Sequence, residues 1–254
     1  MAIPIGISHG DSSPLGHSYA AVLVRVEDGA PDRGPVLDRL RALRFTGWVT
    51  GPHEGWLVVV CGSPGTVATG RRGVLGVGEA LAAGTGSSAL ALLVRNDRQL
   101  LLVGWDHGRE VGRYLSDPSF GLGRDTDVLS DSIGVEHAEE FAALAGRPGA
   151  ADDLAELLAE EIDADETIES ERLDGIAGLL GLPRWLPSVS ALPRELPVGP
   201  ARGEFVRLGG GRTGPLAGPW GTLLDVVRKR RHPPAAVTDP PRGSGPGEFE
   251  AWML

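Results

Sequence analysis

The chain has 254 residues, 41% apolar and 23% charged, with a formal net charge of −10. A chain of that size can bury roughly 70–75% of its unfolded surface and suits one large domain or two small ones. Its single cysteine, Cys61, excludes an intrachain disulfide framework, and no apolar run reaches the roughly 18 residues a membrane-spanning helix needs. Residues 1–20 lack the basic start and apolar core of a secretory signal. The expected setting is therefore the cytoplasm, with no membrane role.

Residues 1–17, rich in Gly, Ser and Pro, read as a flexible leader. Residues 19–27 (YAAVLVRVE) form a strand. Residues 35–43 form a helix, with Pro35 in its first turn and Val36, Leu37, Leu40 and Leu43 on one face. Residues 45–50 and 55–61 are predicted strands joined by the four-residue loop 51–54. Cys61 ends the apolar run Leu57-Val58-Val59-Val60 and reads as a small buried residue, since no basic neighbour activates it. After a Gly-rich loop, 62–73, a short helix over 74–83 leads into the most regular stretch of the chain.

That stretch, residues 87–117, is an antiparallel meander of three strands. It turns at Asn96-Asp97, as a two-residue loop, and at Asp106-His107-Gly108, as a three-residue loop. Residues 90–94 and 100–103 are apolar on both faces, so both faces should be covered. The third run, 110–115, alternates irregularly, as an edge strand would. The order βαββα-βββ predicts an α+β domain over 18–117, an antiparallel sheet with helices mainly on one side, and is compatible with a ferredoxin-like split arrangement.

A crossing loop (118–135) precedes a predicted acidic helical subdomain, 136–190, packed on the sheet domain and built from helices over 136–144, 151–162 and 167–180. Gly181 and Pro183 end the last helix, and Trp185 and Leu186 tuck back onto it. Residues 136–174 hold 14 acidic and 2 basic side chains, whereas the segment from 201 holds 8 basic and 5 acidic. Residues 191–254 read as a mostly disordered tail with a short strand at 204–208. The tail also carries a basic amphipathic helix at 220–231, in which Trp220, Arg228, Lys229, Arg230 and Arg231 suit interaction with a partner. The acidic middle argues against nucleic-acid binding by the globular part.

Few residues point to chemistry. The loop Gly62-Ser63-Pro64-Gly65-Thr66-Val67-Ala68-Thr69-Gly70-Arg71-Arg72-Gly73 follows a strand and precedes a helix, so its amides with Arg71 and Arg72 could hold an anion. It is neither a Walker motif nor a dinucleotide fingerprint. Asp106 and His107 place a base beside a carboxylate, although a tight turn explains both. His137 lies among Glu136, Glu139 and Glu140, but the second histidine of a zinc helix is missing, and the cluster reads as a solvated first turn. No nucleophile elbow or Ser/His/Asp set occurs, and no metal or cofactor is expected.

The runs Gly55-Trp56-Leu57-Val58-Val59-Val60, Leu93-Val94-Arg95-Asn96 and Trp105-Asp106-His107-Gly108 give the first 117 residues a likeness in pattern. The chain there resembles small Trp-bearing α+β proteins of hypothetical-protein families in actinobacteria. An arginine-dominated basic set, in which Lys229 is the one lysine, fits such a genome. The resemblance implies an immunity or conflict role and transfers no catalytic residue. The expected function is a non-enzymatic protein-interaction module, such as an adaptor, immunity-type or regulatory binding protein, with an unknown protein partner. The alternative is an enzyme with a site near Arg71, Arg72, Asp106 and His107.

Overall fold

The computed structural model describes residues 17–26, 33–120, 131–160, 168–192, 196 and 198–209. All of these belong to one compact unit, Met1–Gly210. The predicted leader, apart from its last residue, and the basic helix at 220–231 lie outside the described residues.

The first eight elements follow the predicted order: β1 (Tyr19–Arg25), α1 (Gly34–Ala42), β2 (Gly47–His53), β3 (Trp56–Cys61), α2 (Val74–Thr85), β4 (Ala89–Arg95), β5 (Gln99–Asp106) and β6 (Arg109–Leu115). They continue into α3 (Ala138–Leu144), α4 (Ala151–Ala159), α5 (Glu169–Leu180) and a short β7 (Val206–Leu208). Among the described residues the strands make one antiparallel sheet, ordered β6-β5-β4-β1-β3-β2-β7. Within it, β4-β1-β3-β2 is the split βαβ arrangement of ferredoxin-like folds, because α1 and α2 each carry the chain across an intervening antiparallel strand.

The two-sided apolar strands have the expected consequence, but in a fuller form than the predicted one-sided helical layer. Tyr19, Ala21 and Leu23 of β1, with Leu90, Leu92 and Val94 of β4, face α3, α4 and α5 in one core. Ala20, Val22 and Val24, with Ala89, Ala91 and Leu93, face α1 and α2 in the other. The acidic helices are therefore the second layer on a shared sheet, because the alternate side chains of β1 and β4 are apolar and must be covered. The helical segments also run shorter than predicted, α4 ending at Ala159 and α5 starting at Glu169. Trp185 and Leu186 are buried in the same layer.

The turns differ from expectation in length. Strand β2 extends through Pro52 and His53, with a register shift between Val49 and Pro52, so the β2–β3 loop is Glu54-Gly55 alone. Both residues have positive φ, 53° and 78°, as a type I′ turn requires. Asn96 and Asp97 have φ of 52° each, but Arg98 joins the loop before the ladder resumes at Arg95 and Gln99. His107-Gly108 is the two-residue loop between Asp106 and Arg109, one residue shorter than predicted. At the far edge, β7 pairs with residues 47–49 of β2, so part of the predicted tail belongs to the sheet.

Leu92 lies at the middle of β4 and is fully buried. Truncation to alanine leaves a cavity between β4 and the α3–α5 layer. Urea denaturation of Leu92→Ala is expected to show a loss of about 2–5 kcal/mol, and a loss under ~1 kcal/mol would mean that this core is loosely packed.

Candidate functional site

The loop before α2 is tied down at several points. Thr69 donates through its amide, at 2.9 Å, and its hydroxyl, at 3.0 Å, to the carbonyl of Leu43, which joins the loop to the end of α1. The amides of Val67 and Ala68 both donate to the carbonyl of Arg72. This construction gathers Arg44, Arg71 and Arg72 between the C-terminus of α1 and the N-terminus of α2. Arg44 and Arg71 hold left-handed backbones, with φ of 50° and 57°, a conformation that non-glycine residues enter at a cost. Arg72 donates to the carbonyl of Thr69 at 3.1 Å.

Asp106 and His107 sit at the other end of the same helix. Asp106 accepts from the hydroxyl of Ser88 at 2.8 Å and contacts Nδ1 of His107 at 2.9 Å. The Ser88 hydrogen bond is the main reason its carboxyl is held below the ordinary value, with His107 adding to the effect. Gly108 packs directly on Ala83 near the C-terminus of α2. Helix α2 has 12 residues, so about 18 Å separates its ends. Arg71 and Arg72 are thus not brought together with Asp106 and His107, and the four do not converge on a substrate-sized site. His137 approaches Glu140 at 3.8 Å, and both are partly exposed. Among the described residues no group of three or more His, Cys, Asp or Glu side chains is placed to share a metal ion.

A concavity that the sequence did not flag opens near the β6 edge. It encloses about 530 Å³ and is lined by Leu101, Leu115, Pro118, Phe120 and Ile133, with Arg95, Gln99, Arg113, Glu136 and His137 around them. Its floor exists because Leu101 and Leu115 point to the α1/α2 face of the sheet at the margin of the α2 layer, and both are only half-buried. Ile133 exchanges backbone hydrogen bonds of 2.9 Å with Leu115, extending the edge by one bridge. Its side chain is 57% exposed. The chain passes close to β6 here only because Gly134 (φ 90°) has no Cβ to strike the carbonyl of Arg113. On the rim, Arg113 makes two 2.9 Å bonds to Glu110. In the sequence Leu101 and Leu115 do not stand out from core leucines; it is the margin of the α2 layer that leaves them partly uncovered.

The second unflagged feature is a buried ion pair under α5. Glu169 and Arg172 approach at 3.4 Å with side chains 2% and 4% exposed. Arg172 also donates to the hydroxyl of Tyr114, to the carbonyl of Leu158 at 3.3 Å and to that of Glu160 at 2.9 Å. Ser170 donates to Asp97, and the hydroxyl of Tyr19 lies 2.9 Å from Ser170. Helical phase could have found the pair, since residues 169, 172, 173, 176 and 180 share one face. The group ties α5 to β1, β6 and the β4–β5 turn.

Burial raises the Glu169 carboxyl above its ordinary value of 4.5, and Arg172 offsets this only in part. A carboxyl raised on folding favours the folded state below the ordinary value, and that contribution is lost as pH rises through the folded value. Glu169→Gln mimics the protonated form. Urea titrations from pH 4 to 8 should therefore find Glu169→Gln gaining stability relative to wild type as pH rises; a constant difference would contradict the raised carboxyl.

Cys61 is buried at the end of β3, and burial pushes its thiol up to about 12. Reaction with an aromatic disulfide reagent should be slow in the native protein and fast in denaturant. Equal rates would mean that the thiol is accessible.

No protein-family model, curated protein or solved structure matches the chain.

Proposed function

We propose that this chain is a non-enzymatic protein-interaction module, an adaptor, immunity-type or regulatory binding protein, and that it seats an extended segment of its protein partner in the groove near β6. The observation that carries the reading is the groove itself: Leu101, Leu115, Phe120 and Ile133 form an apolar floor open to solvent, with Ile133 57% exposed. Water-facing apolar surface in a concavity, rimmed by polar groups, is what a protein interface core uses to bind apolar side chains. The rim chemistry also fits binding better than catalysis. Arg113 is already paired with Glu110, and His137 approaches Glu140 rather than facing a nucleophile. The expected occupant is a polypeptide that presents one or two apolar side chains to the floor, with backbone or polar groups meeting Arg95 and Glu136 at the rim.

Seating one apolar side chain stabilises a complex by about 1.5–3 kcal/mol, and about 1.4 kcal/mol is a tenfold change in affinity. Ile133→Asp should therefore weaken partner binding at least ~tenfold. His107→Ala, at the far end of α2, should leave it unchanged. The measurement is quantitative co-purification from the native host with wild type and both variants, followed by titration of the recovered partner. A partner bound equally well by Ile133→Asp and wild type would remove the groove from the interface.

A further inference from the structure

The two helical layers carry opposite charge. Residues 33–45 and 62–86, which supply α1, α2 and the loops at their ends, hold Arg33, Arg39, Arg41, Arg44, Arg71 and Arg72 against Asp38 and Glu79. The layer on the other face, residues 135–160 and 168–192, holds 10 carboxylates and 3 arginines. One sheet thus separates a basic face from an acidic one.

The basic face is built rather than scattered. Arg39 lies across α2 above Gly84, its Nε donating to the carbonyl of Ala80 at 3.2 Å. Arg72 lies above Gly76 in the first turn of α2. Glycine inside a helix is unfavourable relative to alanine, and here Gly76 and Gly84 make the shallow seats on which the arginines rest. With one donor each used locally, both guanidinium groups keep further N–H groups for an outside acceptor. Arg44 and Arg71 have no side-chain partner among the described residues. An array held in place loses less side-chain entropy when it binds.

The matching acidic surface lies on the opposite layer. Asp153, Glu156 and Glu160 follow the outer stripe of α4 and its end, all exposed, and none has an ion-pair partner among the described residues. They line a shallow concavity with Leu157 and Ala159. Asp153 to Glu160 spans about 10 Å and Gly76 to Gly84 about 12 Å along their helices, so the two arrays match in length.

We propose that the chain associates head to tail with a second copy of itself, the arginines over α2 of one molecule receiving Asp153, Glu156 and Glu160 of the next. Because the two surfaces lie on opposite faces of one sheet, the contact is heterologous, and each added molecule leaves one basic and one acidic face free. Exposed ion pairs contribute little individually, so the association is weak and depends on salt. Nucleic acid fits the array less well: the chain carries a net charge of −10, and none of the residues that make up the array is aromatic.

Sedimentation velocity on the full chain tests this. In about 0.01 M salt, where the Debye length is about 30 Å, wild type should show concentration-dependent growth beyond the monomer. In about 0.15 M salt the association constant should fall roughly tenfold or more. Arg39→Gln/Arg72→Gln and Asp153→Asn/Glu156→Gln should each stay monomeric in low salt, because each loses the charge of one face and keeps only the other native. Mixed in equal amounts, they should form a dimer and nothing larger, since the first supplies the native acidic face and the second the native basic face. That dimer also requires both variants to be folded, and far-UV circular dichroism checks each separately. Ile133→Asp should associate as wild type does, so failure of the groove reading and failure of this one are distinguishable. A wild-type chain that stays monomeric in low salt, growth unaffected by either double variant, a mixture with no dimer, or a monomer that uses the arginines to bind duplex DNA would each overturn the proposal.

Discussion

The central strands of this sheet have no face that tolerates water, and the rest of the fold answers that constraint. Strand β1 is buried along almost its whole length, with consecutive side chains entering opposite cores. Strands β3 and β4 behave the same way. Each Val or Leu buried there contributes about 1.5–3 kcal/mol relative to exposure, which is realised only if both faces are covered. The crossovers α1 and α2 cover one face as a by-product of connecting the strands. The other face remains bare until the chain beyond β6 returns beneath it as α3, α4 and α5, so the second half of the described chain completes the core of the first.

Polar groups decide how that second layer is attached. Apolar contacts are not directional and would tolerate several placements of α5 on the sheet. The guanidinium of Arg172 is directional: it ties Tyr114 of β6 to the carbonyls of Leu158 and Glu160 at the end of α4. Ser170 and Asp97 fix the start of α5 against the β4–β5 turn. A buried ion pair is weak evidence for net stability, because desolvation offsets much of the attraction. Its contribution here is positional, joining a helix, a strand and a turn that are distant in sequence.

The sheet was legible because its signals are local. Alternation, apolar runs and turn residues such as Asn96-Asp97 and His107-Gly108 identify strands without reference to the rest of the chain. Loop lengths were harder: Pro52 and His53 read as turn residues, yet the bulge between Val49 and Pro52 lets them continue as strand. The placement of the acidic helices on the far face depended on long-range pairing of cores that no single segment encodes. The groove was missed for the same reason. Leu101 and Leu115 look like ordinary core leucines, and only the margin of the α2 layer leaves them near the surface. Arg71, Arg72 and His107 lie in the connections and Asp106 ends β5, so whether the four meet depends on the direction of α2, which runs between them.

The glycines under the arginines carry a consequence for engineering. In an ordinary helix, replacing an interior glycine by alanine is a standard way to raise thermal stability, by roughly 0.5–1 kcal/mol. At position 76 the new methyl would lie 3.1 Å from Cγ of Arg72, and at 84 only 2.8 Å from Nε of Arg39. A thermostabilised variant chosen for helix content alone would therefore gain a stiffer α2 while displacing the cations that lie on it. Screens that score melting temperature and screens that score surface recognition would rank the same two substitutions in opposite order.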